Sequence, residues 1–97
     1  MVWEAKAGDV VVSRAGHDRQ QLFVVLGAEG EYAFIADGKS RTLEKPKKKK
    51  RMHLNTCPTK QDVEMKALVQ GEQITNAALR RHLKWVEEVM GLNREDT

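Results

Sequence analysis

The sequence predicts a small, mostly β fold in which five short strands form a curled sheet or barrel, followed by two α-helices. Short apolar, β-branched runs recur between residues 9 and 55 and are separated by glycines. From residue 59 to 91 the apolar residues change to helical spacing. A sandwich needs about 100 residues, so five strands in this space indicate a small curled sheet. We therefore expect residues 1–55 to form the barrel and residues 56–97 a helical extension packed on it.

The first three strands are predicted at residues 9–14, 22–26 and 32–36, which are rich in Val, Leu, Phe and Ile. The third run ends at Asp37-Gly38, the strongest signal for a tight hairpin in the chain. A brief fourth strand is predicted at residues 41–43. A fifth is predicted at residues 52–55, after a run of lysines.

The first helix is predicted to begin near Thr59 and to end at Gly71. Thr59 followed by Asp62 resembles a capping box, and apolar residues follow at roughly helical spacing, namely Val63, Ala67 and Leu68.

The second helix is predicted to begin at Thr75 or Asn76, either of which can cap it, and to end before Gly91. Trp85 flanks its apolar stripe and is expected to pack against the sheet rather than stack on a base. The stripe itself recurs every three or four residues and consists of Leu79, Leu83, Val86 and Met90.

The positive charge of the chain is local. Residues 45–54 hold six basic and no acidic side chains. In contrast, residues 1–44 hold five basic and seven acidic side chains, and residues 55–97 hold six basic and seven acidic ones. Such a run favours a polyanionic partner, because Lys and Arg displace the counterions condensed on phosphates. Two other interpretations stay open, namely a mobile, solvated loop of self-repelling charges and a nuclear-import signal.

Composition narrows the location and excludes several kinds of site. No stretch approaches the roughly 20 apolar residues that a membrane span needs, and the first residues lack an apolar signal core. Cys57 is the single cysteine, which excludes an internal disulfide and fits a reducing compartment. The three histidines have no spacing typical of a metal site. We expect a cytoplasmic protein without metal or cofactor.

Residues 8–26 resemble a KOW motif, which pairs two strands around a loop with a key glycine. Gly16 matches that glycine, residues 10–12 match the leading strand, and residues 23–26 match the returning strand. The continuation through residues 32–43 and the Pro-Lys-Lys-Lys segment that follows is similar to small stand-alone KOW-domain proteins, of the kind seen in large-subunit ribosomal protein fourteen of the non-bacterial type. The resemblance implies an SH3-like barrel and RNA binding.

The loop departs from the motif at residues 19–21, Arg-Gln-Gln, where many KOW loops carry a second glycine. Without that glycine the chain loses easy access to positive φ. We therefore expect the loop to turn differently or to widen.

The candidate site combines this loop with the basic segments that follow it. Arg offers forked donors to phosphate, and His can hydrogen-bond to or stack on an exposed base. Gly16 lets a partner approach the backbone, although it can equally serve the turn alone. The predicted RNA-binding residues are Arg14, Gly16, His17, Arg19, Lys39, Arg41, Lys45, Lys47, Lys48, Lys49, Lys50 and Arg51.

The sequence argues against catalysis, because it contains no phosphate-binding glycine loop, nucleophile elbow or zinc-protease signature. Two functions of different class remain. The first is a non-catalytic RNA-binding protein associated with ribosomal RNA or the ribosome. The second is an SH3-like module that binds an acidic protein, such as transcription machinery, through the same lysines. The five aromatic residues are few for a peptide groove of that kind, which favours RNA.

Overall fold

A computed structural model describes residues 6–17, 19–56, 62–71 and 73–90. This part of the chain forms one antiparallel sheet and two α-helices, as the sequence predicts. The strands are β1 (Val10–Ser13), β2 (Leu22–Glu29), β3 (Tyr32–Ala36), β4 (Lys47–Lys50) and β5 (Leu54–Thr56). A short 3-10 helix (Arg51–His53) joins β4 to β5, and the α-helices are α1 (Asp62–Gln70) and α2 (Asn76–Met90).

The strand order in the sheet is β4-β3-β2-β1-β5. The first strand is internal because it pairs with both its neighbour in sequence and the last strand. Val12 lies opposite Leu22 of β2 on one side and Asn55 of β5 on the other. Consecutive strands otherwise form a simple meander, and the described residues show no pairing between the edge strands β4 and β5.

Both faces of the sheet are apolar, because successive strand residues point to opposite sides. One face contributes the cluster Val11, Phe23, Val25, Ala33, Ile35 and Leu54, which lies within the sheet itself. The other face contributes Val10, Leu22, Val24 and Ala36 to a cluster shared with the helices. The runs of consecutive apolar residues in β1 and β2 are thus explained by burial on two sides.

Helix α2 packs on the second face through Leu79, Leu83 and Val86, which are buried as the predicted stripe requires. Its first turn is capped by Thr75, whose Oγ1 accepts a hydrogen bond from the Ala78 N–H at 3.1 Å. Trp85 is partly buried against the same cluster.

The buried face of α1 differs from the prediction. Met65 and Val69 pack into the cluster shared with α2, whereas Ala67 is exposed and Leu68 is half-buried. The helix ends before Gly71 as expected. The predicted cap Thr59, the glycine at 91, Cys57 and the side chains of Val63 and Met90 lie outside the residues whose structure is described.

The fourth strand is not where the sequence predicts it. Residues 41–43 lie in a loop, and the lysine run itself forms β4, pairing from Lys47 opposite Ile35 to Lys50 opposite Tyr32. The interpretation of this run as a loop, which the sequence left open, is therefore wrong for residues 47–50, which form a strand. Like charges are tolerated here because alternate side chains leave the strand on opposite faces.

The tight hairpin also lies elsewhere. Gly30 and Glu31 form the two-residue turn between β2 and β3, since Glu29 lies opposite Tyr32. Asp37-Gly38 instead begins a loop of residues 37–46. Gly38 adopts a φ of 79°, and a Cβ at this position would lie 2.3 Å from the Asn76 carbonyl oxygen. Glycine is therefore needed for the loop to approach the start of α2.

Within the described ranges, neither α-helix is long and apolar enough to cross a bilayer.

Candidate nucleic-acid interface

The loop between β1 and β2 is held by backbone hydrogen bonds at its base. The N–H of Ser13 donates to the Gln21 carbonyl at 3.0 Å, and the N–H of Gln20 donates to the Ser13 carbonyl at 2.8 Å. Gly16 has a φ of 83°, and Gln20 has a φ of 70° although it is not a glycine. The loop thus keeps a second left-handed residue at the position where the glycine is missing, at a cost of about 1–2 kcal/mol.

The pleat of β4 divides the lysine run between the two faces of the sheet. Lys47 and Lys49 lie opposite Ile35 and Ala33, on the face whose apolar residues form the cluster within the sheet, which we call the inner cluster. Lys48 and Lys50 lie on the other face, opposite Phe34 and Tyr32. The run is therefore two pairs of cations rather than one continuous patch.

Lys49 differs from its neighbours because its side chain is structural. It is only 9% exposed, and its Nζ donates a 2.7 Å hydrogen bond to the Ala15 carbonyl in the β1–β2 loop. This contact links edge strand β4 to the end of β1. Through this hydrogen bond Lys49 holds the loop.

A first concave surface of about 300 Å³ joins three of the predicted binding residues. His17 comes from the β1–β2 loop, Arg41 from the β3–β4 loop and Lys47 from the start of β4. We call it the loop depression, and its complete lining is His17, Gln21, Phe23, Ser40, Arg41 and Lys47.

A second surface of about 410 Å³ joins three others, Arg14, Lys50 and Arg51, at the opposite end of β4. The Arg51 guanidinium donates to the Gly30 carbonyl at 2.8 Å. We call it the turn depression, and it is completed by Gly30, Glu31, Met52, Leu54 and Asn55. Met52, 72% exposed, was not singled out by the sequence, since an isolated Met after a basic run gives no signal.

The remaining predicted residues are not brought into these two surfaces. Lys39 lines a separate concavity in which Asp37 and Glu87 accompany Arg80 and Lys84, so its surroundings are of mixed charge. Arg19 and Lys45 are exposed and line none of the three concavities.

The position of Arg41 depends on Asp37. The Asp37 carboxylate accepts hydrogen bonds from the backbone N–H groups of Lys39 and Arg41 and from the side chains of Ser40 and Gln21, all between 2.7 and 3.0 Å. Burial by itself raises the pKa of Asp37, but these four donors outweigh it, so the pKa lies below its ordinary value. The loop is further fixed to α2, since Arg80 donates to the Gly38 carbonyl at 2.6 Å.

Tyr32 is a second residue that the sequence did not single out as part of the site. The Lys48 Nζ lies 4.6 Å from the centre of its ring, within the range of a cation–π interaction. The pairing of Tyr32 with the lysine run depends on β4 being a strand, which the sequence did not predict.

Groups of three or more His, Cys, Asp or Glu residues that could hold a metal ion are not found in the described part of the chain. Comparison with models of known protein families gives no match, and comparison with curated proteins gives none either.

Proposed function

We propose that the protein is a non-catalytic RNA-binding protein of the KOW type, associated with ribosomal RNA or the ribosome. The loop depression carries the proposal. It joins His17, from the loop that resembles the KOW motif, with Lys47, from the lysine run, although thirty residues separate them in the chain. Arg41 adds a forked donor between them. Such convergent cations on a concave surface suit a phosphate backbone.

An SH3-like barrel is part of the proposal. The meander also pairs its first strand with its last, β1 with β5, so β4 and β5 are the two edges that the barrel of this proposal brings together. Lys49 supports it by joining β4 to the carbonyl of Ala15 at the end of β1. The N–H of Arg14 also donates to the His53 carbonyl at 2.8 Å, between β1 and the 3-10 helix.

The two elements of the loop depression have different roles in this proposal. Arg41 and Lys47 bind phosphates, which carry no sequence information. His17 lies on a loop held by Ser13, Gln20 and Lys49, so discrimination among unpaired bases or RNA shapes resides there. The single cysteine fits a reducing compartment, and we place this activity in the cytoplasm.

The experiment is a titration of the full chain with single-stranded RNA at several salt concentrations. The double variant R41Q/K47Q removes two cations from the loop depression. It should weaken binding to all RNAs alike and reduce the log–log salt slope by about 0.7 for each phosphate that the protein no longer neutralises. The matched control R81Q/K84Q removes two exposed cations from α2 and should leave affinity and slope unchanged.

Two further measurements test the rest of the proposal. His17→Ala should reduce the difference in affinity between a preferred and a random RNA, with little change in the salt dependence of binding. Crosslinking in cells, followed by sequencing of the bound RNA, should recover ribosomal RNA. Equal effects of R41Q/K47Q and R81Q/K84Q would overturn the site, and binding of an acidic peptide but no RNA would favour the protein-interaction module instead.

A further inference from the structure

The sheet face that contributes Val24 and Ala36 to the helix cluster also carries, at its other end, two aromatic rings and two cations. The registers place Tyr32 and Phe34 of β3 beside Lys48 and Lys50 of β4 on the face opposite to the inner cluster. On the other side of β3 the same face carries Glu29, opposite Tyr32, and Gly27, opposite Phe34.

Among the described residues, this half of the face lies outside the apolar cluster that the sheet shares with α1 and α2. The cluster shared with α1 and α2 includes Ala36, at the other end of β3, but Tyr32 and Phe34 belong to neither apolar cluster of the described residues. Gly27 leaves space beside the Phe34 ring, since a Cβ built on Gly27 would have no atom within 4 Å. Tyr32 and Phe34 are half-buried and retain accessible surface.

The charge on this surface suits a polyanion. Lys48 and Lys50 are exposed, and Glu29 is the one carboxylate that the strand registers place on the same patch. The Lys48 ammonium lies over the Tyr32 ring, so that ring presents its face to a cation on the surface rather than to the core.

We propose that this patch, which we call the stacking surface (Tyr32, Phe34, Lys48 and Lys50), binds single-stranded RNA through its bases as well as its phosphates. The inference rests on the proposed function. One base stacks on each ring, and the two lysines hold the flanking phosphates. The Lys48 ammonium leaves the Tyr32 ring for a phosphate, and a base takes its place over the ring. Aromatic rings beside cations bind bases of any sequence in this way.

The geometry selects a single strand over a duplex. Residues two apart on a strand are separated by about 7 Å, twice the 3.4 Å between successive bases along a duplex strand. Bases that occupy both rings must therefore be separated from each other, which only an unpaired, extended strand allows. An acidic peptide would bind the lysines through its carboxylates, which do not stack on the rings.

The test compares two polyanions, a short oligouridylate and inorganic polyphosphate, which has phosphates but no bases. Tyr32→Leu and Phe34→Leu should each weaken oligouridylate binding by about 5- to 150-fold and leave polyphosphate binding unchanged. The conservative variant Tyr32→Phe keeps the ring and should bind both ligands as the parent does. Weaker polyphosphate binding by either Leu variant would mean that the charged surface has been disturbed, and would count against stacking.

A second measurement needs no variant. Tyr32 is the single tyrosine of the chain, so its ring proton resonances can be identified directly. Oligouridylate should shift them upfield through ring currents of the stacked base, and polyphosphate should not. If the parent binds oligouridylate but the resonances do not move and the Leu variants bind as well as it does, the stacking surface is refuted and the proposed function stands. If the parent binds no RNA, both fail.

Discussion

The sheet face that packs on the helices has two halves, which differ in their side chains and in their contact with α1 and α2. In the half under the helices, Val24 and Ala36 are small aliphatic residues, which allow Leu79 of α2 to approach closely. In the open half, Phe34 and Tyr32 are bulky and are flanked by lysines. The covered half therefore holds the fold together, and the open half keeps accessible surface within the described part of the chain. Substitutions in the two halves should separate stability from binding.

The largest effect is expected at the centre of the covered half. Leu83 is 6% exposed and packs against the sheet, so Leu83→Ala should lower the free energy of unfolding by about 2–5 kcal/mol. Val89, on the same helix but 58% exposed, is the control, and Val89→Ala should change it by less than about 0.5 kcal/mol. Urea denaturation of both variants measures the difference. Equal losses of stability in the two variants would mean that α2 does not pack on the sheet in solution.

Alanine should have opposite effects at two glycines, one in the loop that meets α2 and one in the open half of the sheet face. Gly38→Ala should cost about 2–4 kcal/mol, because the residue has positive φ and a Cβ would meet the Asn76 carbonyl. Gly27→Ala places its Cβ in open space and should be neutral or stabilising by up to about 1 kcal/mol. Thermal unfolding compares them, and destabilisation by Gly27→Ala would show that the open half is in fact closed.

An intermediate effect is expected at Asp37, which fixes the loop between β3 and β4. A carboxyl whose pKa is lowered on folding stabilises the fold above its unfolded pKa of about 3.9, and this contribution is lost as the pH falls through the folded value. Asp37→Asn should therefore cost about 1–3 kcal/mol at neutral pH, and the difference from the parent should shrink in acid. Denaturation as a function of pH checks this, and a constant difference down to acid pH would exclude the ionised carboxylate as the cause.

The smallest effect on stability is expected in the open half. Lys48→Gln removes the cation over the Tyr32 ring and should lower the free energy of unfolding by about 0.5–1 kcal/mol. Lys50→Gln, on the same strand and face, removes the same charge without that ring contact and should cost less. A double-mutant cycle with Tyr32→Leu isolates the interaction between Lys48 and Tyr32. A coupling energy of zero would mean that the ring and the ammonium are only neighbours.

Sequence patterns predicted the strands whose residues are buried, because burial on two faces requires consecutive β-branched and apolar residues. They failed for β4, where Lys has low β propensity and adjacent like charges repel. The strand pairs there with β3, Lys49 also reaches the Ala15 carbonyl, 34 residues away, and Lys48 lies over the Tyr32 ring. Contacts between such distant residues leave no local pattern.

The candidate site was predicted only in part, because it too depends on contacts between residues that are distant in sequence. His17, Arg41 and Lys47 were recognisable as basic residues near a loop, and the structure brings these three together. Their grouping depends on Asp37, whose four hydrogen bonds turn the chain away from the hairpin that Asp-Gly predicts. Side-chain acceptors that organise a loop from within compete with strand pairing, and composition alone does not show which one prevails.

The pairing of β1 with β5 bears on the order in which the chain folds. Val12 is paired with Leu22, 10 residues later, and with Asn55, 43 residues later. Closing the longer loop costs about 1.3 kcal/mol more in entropy. The hairpin of β1 and β2 is thus expected to form first and β5 to dock last. The lysine run lies inside the loop that closes, so its self-repulsion opposes that late step and salt screens it. A polyanion that binds these lysines would accelerate refolding as well as stabilise the folded protein.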